Sequence, residues 1–525
     1  MGSSYSTVQR DGSKKSVLVG SALREKEPVD ALSSNFASIT LDEPLSADGT
    51  ISLKNVKGWE DKAAKDPKIQ LARTILVDTD FQSALASRSA RIADQHVFNL
   101  QLDFVTDPIT NQKSSGRCWL FATTNVLRYS VMQKLDLKEF QLSQVLRSFA
   151  SLSSSSALTL SQSYLFFWDK LNKSNYYLEL AIKNADLPLD NRVVDYLSDD
   201  LISDGGQWDM AVNLLETYGI VPQPIYPESY SSSASKNLNT LLKLKLREHA
   251  LVLRRLVSSL RASANSDEAT ILKTVRAKKE ELMSDVWTIM TSTLGLPPRP
   301  EDRFTWDYYD KDGKPKSWTG TPTEFYKTFT SKQYPPSQSF SLINDPRNEY
   351  KKLYTVDSLG NIWGGRPVLY VNTEITDLKN AVIRQLKAGQ PVFFGCDVNQ
   401  FSDRTLGIMD TGLHKSALED AFSISLSLTK AERLQTHESS MTHAMVITAV
   451  HVDPATGAPV RFRVENSWGA DPGERGFFVM TEAWFDEFVY QVVVPKALAP
   501  RELVKVFEGG ERVVLPPWDP MGSLA

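Results

Sequence analysis

Residues 111–127 read NQKSSGRCWLFATTNVL and carry Cys118, one of two cysteines in a chain of 525 residues. The apolar residues after the cysteine recur at intervals of seven, four and four, namely Leu120, Leu127, Val131 and Leu135. This spacing predicts a helix that begins at Cys118. A helix N-terminus favours the thiolate, which is the nucleophilic form of cysteine, so the first hypothesis is a catalytic thiol.

A lone cysteine on a helix is otherwise a small buried hydrophobe, so the hypothesis depends on suitable partners. Gln112 can donate an amide hydrogen to an oxyanion together with the backbone amide of Cys118. His443 opens the apolar run HAMVITAV and Asn466 closes the run FRVEN, so two neighbouring strands would bring them together. Asn466 would orient the imidazole, and Trp468 would shield their hydrogen bond from water. The pattern predicts a Cys-His-Asn site with a glutamine oxyanion donor.

Three motifs, QKSSGRCW, THAM and ENSWG, resemble in sequence and order the active-site motifs of papain-like cysteine peptidases. The segments LSQSYLFFWDKLNKSNYYLE, DGGQWDM and LPPWDPMGSLA are similar to the bleomycin hydrolase and aminopeptidase C branch of that family. The resemblance extends from about residue 65 to the C-terminus. It implies an α+β, papain-like two-lobed fold, in which a helical lobe and an antiparallel β-barrel lobe carry a large helical insertion and a C-terminal arm.

The same resemblance implies a cysteine aminopeptidase that removes N-terminal amino acids from peptides and aminoacyl amides through a thiolate–imidazolium pair and an acyl-enzyme. No cofactor and no metal are expected. In the branch it resembles, the C-terminal arm lies in the cleft and its carboxylate holds the free amino group of the substrate. Ala525 would supply that carboxylate here. The alternative, a frayed chain end, is the usual fate of terminal residues.

Two further features have both a catalytic and a structural interpretation. Gly205 and Gly206 in DGGQWDM either form a simple turn or let the substrate backbone pass close to the cleft wall. Cys396 lies in the apolar run PVFFGCDV with no adjacent base, so it is predicted to be a core residue.

The spacing of the motifs predicts the domain organisation. The separation between Cys118 and His443 is more than twice the roughly 130–150 residues that separate the catalytic cysteine and histidine in secreted papain relatives. Something large must lie between them. The predicted segments are a mobile N-terminal extension (1–65), a helical lobe with the nucleophile (66–230), a basic helical insertion (231–335), a β-rich lobe with the histidine and asparagine (336–495) and the arm (496–525).

Residues 145–162, VLRSFASLSSSSALTLSQ, look foreign to the helical lobe. The triplet LSQ ends at Gln144 and again at Gln162, so removing these residues joins FQLSQ directly to SYLFFWDK. The segment is low in complexity, begins with a residue whose codons start with GT and ends with one that CAG can encode, as the ends of an intron require. A retained intron and a genuine serine-rich loop remain the two interpretations.

Residues 231–294 are the one basic region, with leucines at helical spacing. Its cationic side chains are Lys243, Lys245, Arg247, Arg254, Arg255, Arg261, Lys273, Arg276, Lys278 and Lys279. Such a block usually forms a solvated face, and the alternative function is salt-dependent nucleic-acid binding. In the resembled branch an insertion of this kind is a hook used to assemble a hexamer, so the resemblance implies a homohexamer.

Composition and charge bear on the compartment. The net charge of −4 gives no general reason to expect a membrane or nucleic-acid surface, and two cysteines cannot form a disulfide framework. The expected compartment is the cytoplasm. The opening MGSSYS fits the acceptor pattern for N-myristoylation at Gly2, which would add a membrane-associated pool. A mitochondrial pool is the other alternative.

Overall fold

Helices dominate the first part of the chain and strands dominate the second in the computed structural model, which describes residues 49–103, 109–135, 160–263, 267–310 and 312–524. Gly2, most of the serine-rich segment 145–162 and Ala525 lie outside these residues. Their predicted roles are therefore not tested by the geometry.

The chain has a mixed α/β fold. The helices are α1 Leu53–Lys65, α2 Pro67–Leu76, α3 Phe81–Ala84, α4 Arg88–Ala93, α5 Cys118–Lys134, α6 Gln162–Lys183, α7 Arg192–Asp199, α8 Trp208–Tyr218, α9 Tyr230–Ser233, α10 Lys236–Ala262, α11 Glu268–Leu294, α12 Pro322–Phe329, α13 Ile375–Lys387, α14 Lys415–Phe422, α15 Lys430–Gln435, α16 Glu482–Phe488 and α17 Arg501–Glu508. The strands are β1 Leu100–Gln101, β2 Phe304–Tyr309, β3 Pro315–Gly320, β4 Ser339–Ile343, β5 Lys352–Val356, β6 Tyr370–Asn372, β7 Val392–Cys396, β8 Ser402–Asp403, β9 Ile408–Met409, β10 His443–Val452, β11 Pro459–Glu465, β12 Phe477–Thr481, β13 Val489–Pro495 and β14 Val513–Leu515.

One large sheet carries most of the strands, in the order β14-β5-β6-β4-β13-β7-β10-β11-β12-β9-β8, with β1 paired to β10. The sheet contains parallel as well as antiparallel pairs, whereas the sequence predicts an antiparallel sheet. Three pairs are parallel: β4 with β6, β5 with β14, and β9 with β12. The residue pattern within a segment identifies a strand but not the strands that pair with it. Strand β14 reaches its parallel partner only because the chain end returns to the sheet edge.

The helix α5 lies between the helical half and the sheet, and it contacts β10, β7, α6 and α8. It is buried nearly all round, including its polar residues Thr123 and Thr124. Their hydroxyls donate to the carbonyls of Trp119 and Leu120, at 2.7 and 2.8 Å, so no side-chain partner is needed. This central position brings the start of α5 to the beginning of β10.

The basic region forms two long helices, α10 and α11, which pack on each other and on α6. Their buried residues include Leu242, Leu246 and Leu253. Eight of the ten cationic side chains contact acidic side chains or backbone carbonyls of the chain itself: Lys243, Lys245, Arg247, Arg254, Arg261, Arg276, Lys278 and Lys279. Most of the positive charge is therefore compensated internally.

Helix α1 begins inside the segment that the sequence predicts to be a mobile extension. The Ser52 side chain accepts from the Lys54 amide at its N-terminus, and Asp66 caps the following helix α2. Neither helix has a buried residue. Helix α2 lies within the predicted helical lobe (66–230), but α1 was not predicted, because lysine and acidic residues dominate its composition.

The end of the serine-rich segment is integrated into the core. Leu160 is buried and forms a β-bridge with Pro222, while the Ser161 hydroxyl accepts from the Tyr164 amide at 3.1 Å and caps α6. The Gln162 side chain donates to Thr124 at 2.9 Å. The triplet Leu-Ser-Gln therefore has a structural role, and a second copy of it ends at Gln144.

Deleting residues 145–162 should therefore preserve the fold, because the first LSQ triplet would then directly precede Ser163 and supply the same buried leucine and cap. We expect the melting temperature to stay close to that of the full chain. Deleting residues 142–162 removes both triplets and should destabilise the protein by about 1 kcal/mol for the cap and about 2 kcal/mol or more for the leucine. Equal destabilisation by the two deletions, measured by thermal unfolding, would show that the second triplet cannot be replaced by the first.

Candidate active site

The nucleophile segment is fixed by a buried arginine at the start of α5. Arg117 is fully buried, and its guanidinium pairs with Glu228 at 2.9 Å and donates to the Ser115 hydroxyl at 2.8 Å. Arg117 occupies the N-cap position, but its side chain makes no capping hydrogen bond, so it does not occupy the first backbone amides of the helix. Cys118 follows as the first helical residue, as the sequence predicts.

The histidine and the asparagine meet where β10 begins and β11 ends. Antiparallel pairing of Val446 with Glu465 sets this register and places Asn466 beside His443. The His443 Nε2 and Asn466 Oδ1 atoms are 2.9 Å apart, and both residues are buried. The Trp468 ring stacks on the imidazole with centroids 4.9 Å apart and planes 29° apart. It covers the hydrogen-bonded pair, as the sequence predicts.

The side-chain amide of Gln112 is oriented by two hydrogen bonds. Its Oε1 accepts from the Ser467 hydroxyl at 2.6 Å, and its Nε2 donates to the Ser115 carbonyl at 2.7 Å. The Gln112 backbone amide also donates to the Ser467 carbonyl at 2.8 Å, which joins the nucleophile segment to the strand-bearing half. An amide nitrogen carries two hydrogens, so one remains to be donated to a substrate oxygen.

The predicted residues converge on one cavity of about 320 Å³. Gln112, Cys118 and His443 line it together with Gly205 and Leu524. The structure thus brings together side chains that lie hundreds of residues apart in the sequence. Its polar groups suit nucleophilic acyl transfer: a thiol, an imidazole oriented by an amide, and an amide donor for the oxyanion.

Burial sets the protonation of the two reacting groups. It raises the pKa of the Cys118 thiol to about 11, although the backbone amides of Ala444, Trp119 and Cys118 itself oppose the rise. Burial also lowers the pKa of the His443 imidazole to about 4, although the hydrogen bond that it donates to Asn466 opposes the shift. Both groups are thus neutral at pH 7, whereas the sequence predicts a thiol of lowered pKa. The effect of the helix terminus is outweighed because the thiol is buried away from water.

The two glycines have different surroundings. A Cβ at Gly205 would lie 2.7 Å from the Leu524 carbonyl oxygen, so this glycine lets a backbone pass close to the cleft wall. A Cβ at Gly206 would lie 2.4 Å from the Trp119 ring, so this glycine allows the loop to pack behind the nucleophile helix. Only Gly205 faces the cavity.

The C-terminal segment is held in the cleft by contacts that sequence reasoning missed. Gln207 donates from Nε2 to the Ser523 carbonyl at 2.6 Å, and the Ser523 hydroxyl donates to the Met441 carbonyl at 3.0 Å. Further back, Arg347 pairs with Asp519 at 2.9 Å. These anchoring points carry no local signal in the sequence.

Cys396 is buried in β7 opposite His443, as predicted for a core residue. Within the described ranges, no helix is long and apolar enough to cross a membrane. The same ranges contain no cluster of three or more histidine, cysteine or acidic side chains arranged to hold a metal ion.

Comparison with known proteins agrees with this geometry. The model of the Peptidase C1-like family matches residues 50–151 and 148–522. The chain is 40% identical over 481 residues to cysteine proteinase 1, mitochondrial, of Saccharomyces cerevisiae, covering 91% of this chain and 93% of the yeast protein. It is 40% identical over 488 residues to the bleomycin hydrolase of Homo sapiens, covering 92% of this chain and all of the human protein.

A solved structure leads to the same family. The crystal structure of PepW from Lactobacillus rhamnosis HN001 superposes with a TM-score of 0.82 at 40% identity, covering 91% of this chain and all of PepW. These matches, together with the site described above, establish a papain-like cysteine peptidase. The chain belongs to the Peptidase C1-like family.

Proposed function

We propose that this protein is a cysteine aminopeptidase of the bleomycin hydrolase type, acting on peptides and aminoacyl amides. The observation that carries the proposal is the position of the chain end: Leu524, one residue before the terminal carboxylate, lines the same cavity as Cys118 and His443. The carboxylate of the following residue would then meet the free amino group of a substrate bound in this cavity.

The chemistry begins with a neutral thiol and a neutral imidazole. The Cys118 sulfur attacks the carbonyl carbon while its proton passes to His443, which creates the thiolate–imidazolium pair during the attack. Opposite charges in contact offset part of the desolvation that keeps each group neutral. The amides beside the sulfur stabilise the thiolate in the same step. Asn466 keeps the imidazole oriented throughout.

The remaining steps return the enzyme to its starting state. The oxyanion accepts hydrogen bonds from the Gln112 amide and the Cys118 backbone amide. The C–N bond then breaks as the imidazolium gives its proton to the leaving amine, which leaves a thioester on Cys118. Water attacks the thioester and passes a proton to His443, and the released amino acid departs as that proton returns to sulfur.

The terminal carboxylate would select substrates with a free amino group. Ala525 follows Leu524 directly in the sequence, and Ser523 is held by its contacts with Gln207 and Met441. An ammonium ion paired with a carboxylate in a shielded site is held more strongly than at an exposed surface. Peptides with a blocked amino terminus would lose this contact and would also collide with the chain end.

Removing Leu524 and Ala525 should change the specificity from terminal to internal cleavage. We expect kcat/KM on an amino-acid amide to fall by about 10- to 100-fold, because a charge-assisted contact is lost, while an N-acetylated peptide becomes a substrate. Ala525→Gly keeps the carboxylate in place and should retain the aminopeptidase preference. If the truncated enzyme still prefers unblocked substrates and leaves acetylated peptides intact, the carboxylate does not select the substrate.

The finer architecture is also a proposal. We assign α10 and α11 to the large insertion of a two-lobed papain-like fold, because they pack on α6 and lie in the sequence between the nucleophile and the histidine. The family match is made in two segments that meet within residues 145–162, which supports an extra segment there. A homohexamer assembled through the insertion stays a prediction.

Nucleic-acid binding through residues 231–294 and N-myristoylation at Gly2 also stay predictions. The internal pairing of eight basic side chains leaves little cationic surface for phosphates, so no observation favours the first over the peptidase function. The name of the yeast relative supports a mitochondrial pool beside the cytoplasmic one that the sequence predicts.

A further inference from the structure

Two lysine side chains of α6 are buried beside the nucleophile, and the chemistry described above gives them no role. Lys170 is fully buried and Lys173 is 4% exposed. An ammonium group in a protein interior is costly unless it is paired and hydrogen-bonded. Two such groups on one helix therefore indicate a built arrangement and not a random feature of the core.

Lys170 is paired with a carboxylate of the glycine loop. Its Nζ lies 2.7 Å from Asp204 Oδ1 and donates to the Ile202 carbonyl at 2.5 Å. The ammonium also lies 5.2 Å from the centroid of the Phe166 ring. The loop that carries the cleft glycine is thus held to α6 by a buried ion pair.

Asp204 in turn holds the nucleophile segment at two points. Its Oδ2 accepts from the Gly116 amide at 3.0 Å, two residues before Cys118. Its backbone carbonyl accepts from the Trp119 indole at 2.7 Å, one residue after Cys118. Asn239 of α10 also donates to the carboxylate, at 2.8 Å. One residue therefore joins the glycine loop, the nucleophile and the helical insertion.

The charge of Asp204 bears on the thiolate. Burial raises the pKa of this carboxyl, but the charge and hydrogen bond of Lys170 and the bonds from Ser235 and Asn239 outweigh it and hold the pKa well below its usual range. The carboxylate is therefore ionised, and its charge contributes to the raised pKa of the Cys118 thiol. Lys170 supplies the compensating positive charge.

We propose that the Lys170–Asp204 ion pair positions the nucleophile: Asp204 fixes the residues on both sides of Cys118, and Lys170 holds the carboxylate in place and reduces its repulsion of the thiolate. The inference rests on the proposed role of Cys118. It concerns positioning residues, since neither side chain is required to touch the reacting atoms.

Other charged or titratable groups lie on the elements around the nucleophile. They are His443 of β10, Cys396 of β7, Asp200 after α7, the Arg117–Glu228 pair, and Lys173 with its partner Asp169. Lys173 offers a matched control, because it is buried on the same helix and donates to the Gly205 carbonyl at 2.6 Å. Its carboxylate partner Asp169 belongs to α6 and not to the loop that holds the nucleophile segment.

The test is the pH dependence of Cys118 alkylation by iodoacetamide in the full-length enzyme, followed by mass spectrometry so that it does not depend on turnover. Lys170→Met uncovers the Asp204 charge, and we expect the alkylation midpoint to rise by about one pH unit. Asp204→Asn should lower the midpoint, and the double variant should return it toward the wild-type value. Lys173→Met should leave it unchanged.

Unchanged midpoints in both single variants would overturn the inference, whatever their melting temperatures. If Lys170→Met does not fold, Asp204→Asn alone decides, because a midpoint that fails to fall shows that the carboxylate charge does not reach the thiol. A failure of the proposed function would be seen separately, as a Cys118→Ala variant that still hydrolyses the substrate at the wild-type rate.

Discussion

Cys118→Ala should lower kcat/KM on an aminoacyl amide by about 10⁴-fold or more, because the attacking atom and the proton that His443 receives disappear together. Groups that act as one unit in catalysis cannot substitute for each other when one is removed. The orienting bond between His443 and Asn466 has no function without the sulfur. Steady-state hydrolysis of an amino-acid amide, with thermal unfolding to confirm the fold, measures the effect.

Cys396→Ala is the matched control for this prediction. Cys396 is the other cysteine, it is buried, and it lies opposite His443 in the register of β7 and β10. Its burial in the apolar core raises its pKa well above the usual value, so it remains a thiol. The variant should lose some stability and keep its activity. An enzyme that depends on Cys396, or that survives without Cys118, would exclude the proposed mechanism.

The four central residues of the site could be predicted because their signals are local. Gln112 and Cys118 belong to one short segment, and the runs that contain His443 and Asn466 are recognisable as strands. The structure supplies what spacing cannot: the register that pairs Val446 with Glu465 and so places the asparagine beside the imidazole. Pairing between distant segments depends on the whole sheet.

The parts of the site that sequence reasoning missed depend on burial. Lys170 and Lys173 appear in the run FFWDKLNK as ordinary helix-surface residues, since nothing local shows that both faces of α6 are covered. The same holds for the Cys118 thiol, whose predicted low pKa assumed an open helix terminus. Desolvation by burial reverses the direction of the pKa shift. Burial is a property of the assembled fold and not of the segment.

Gln112→Ala should reduce kcat by about 10²- to 10³-fold with little change in KM, because the amide donates to an oxyanion that exists only during the reaction. The structure shows why this donor is effective. Ser467 and Ser115 fix both ends of the amide, so it need not reorganise when charge develops on the substrate oxygen.

Ser467→Ala tests the hydroxyl that orients the Gln112 amide without removing the amide itself. It removes the hydroxyl that fixes the Gln112 Oε1 atom but leaves the amide in place, so we expect a smaller loss in kcat of about tenfold. Gln112→Ala and Ser467→Ala together should cost little more than Gln112→Ala alone, because the serine acts through the glutamine. Additive losses would mean that Ser467 supports Asn466 independently, and an unchanged kcat in Gln112→Ala would place the oxyanion elsewhere.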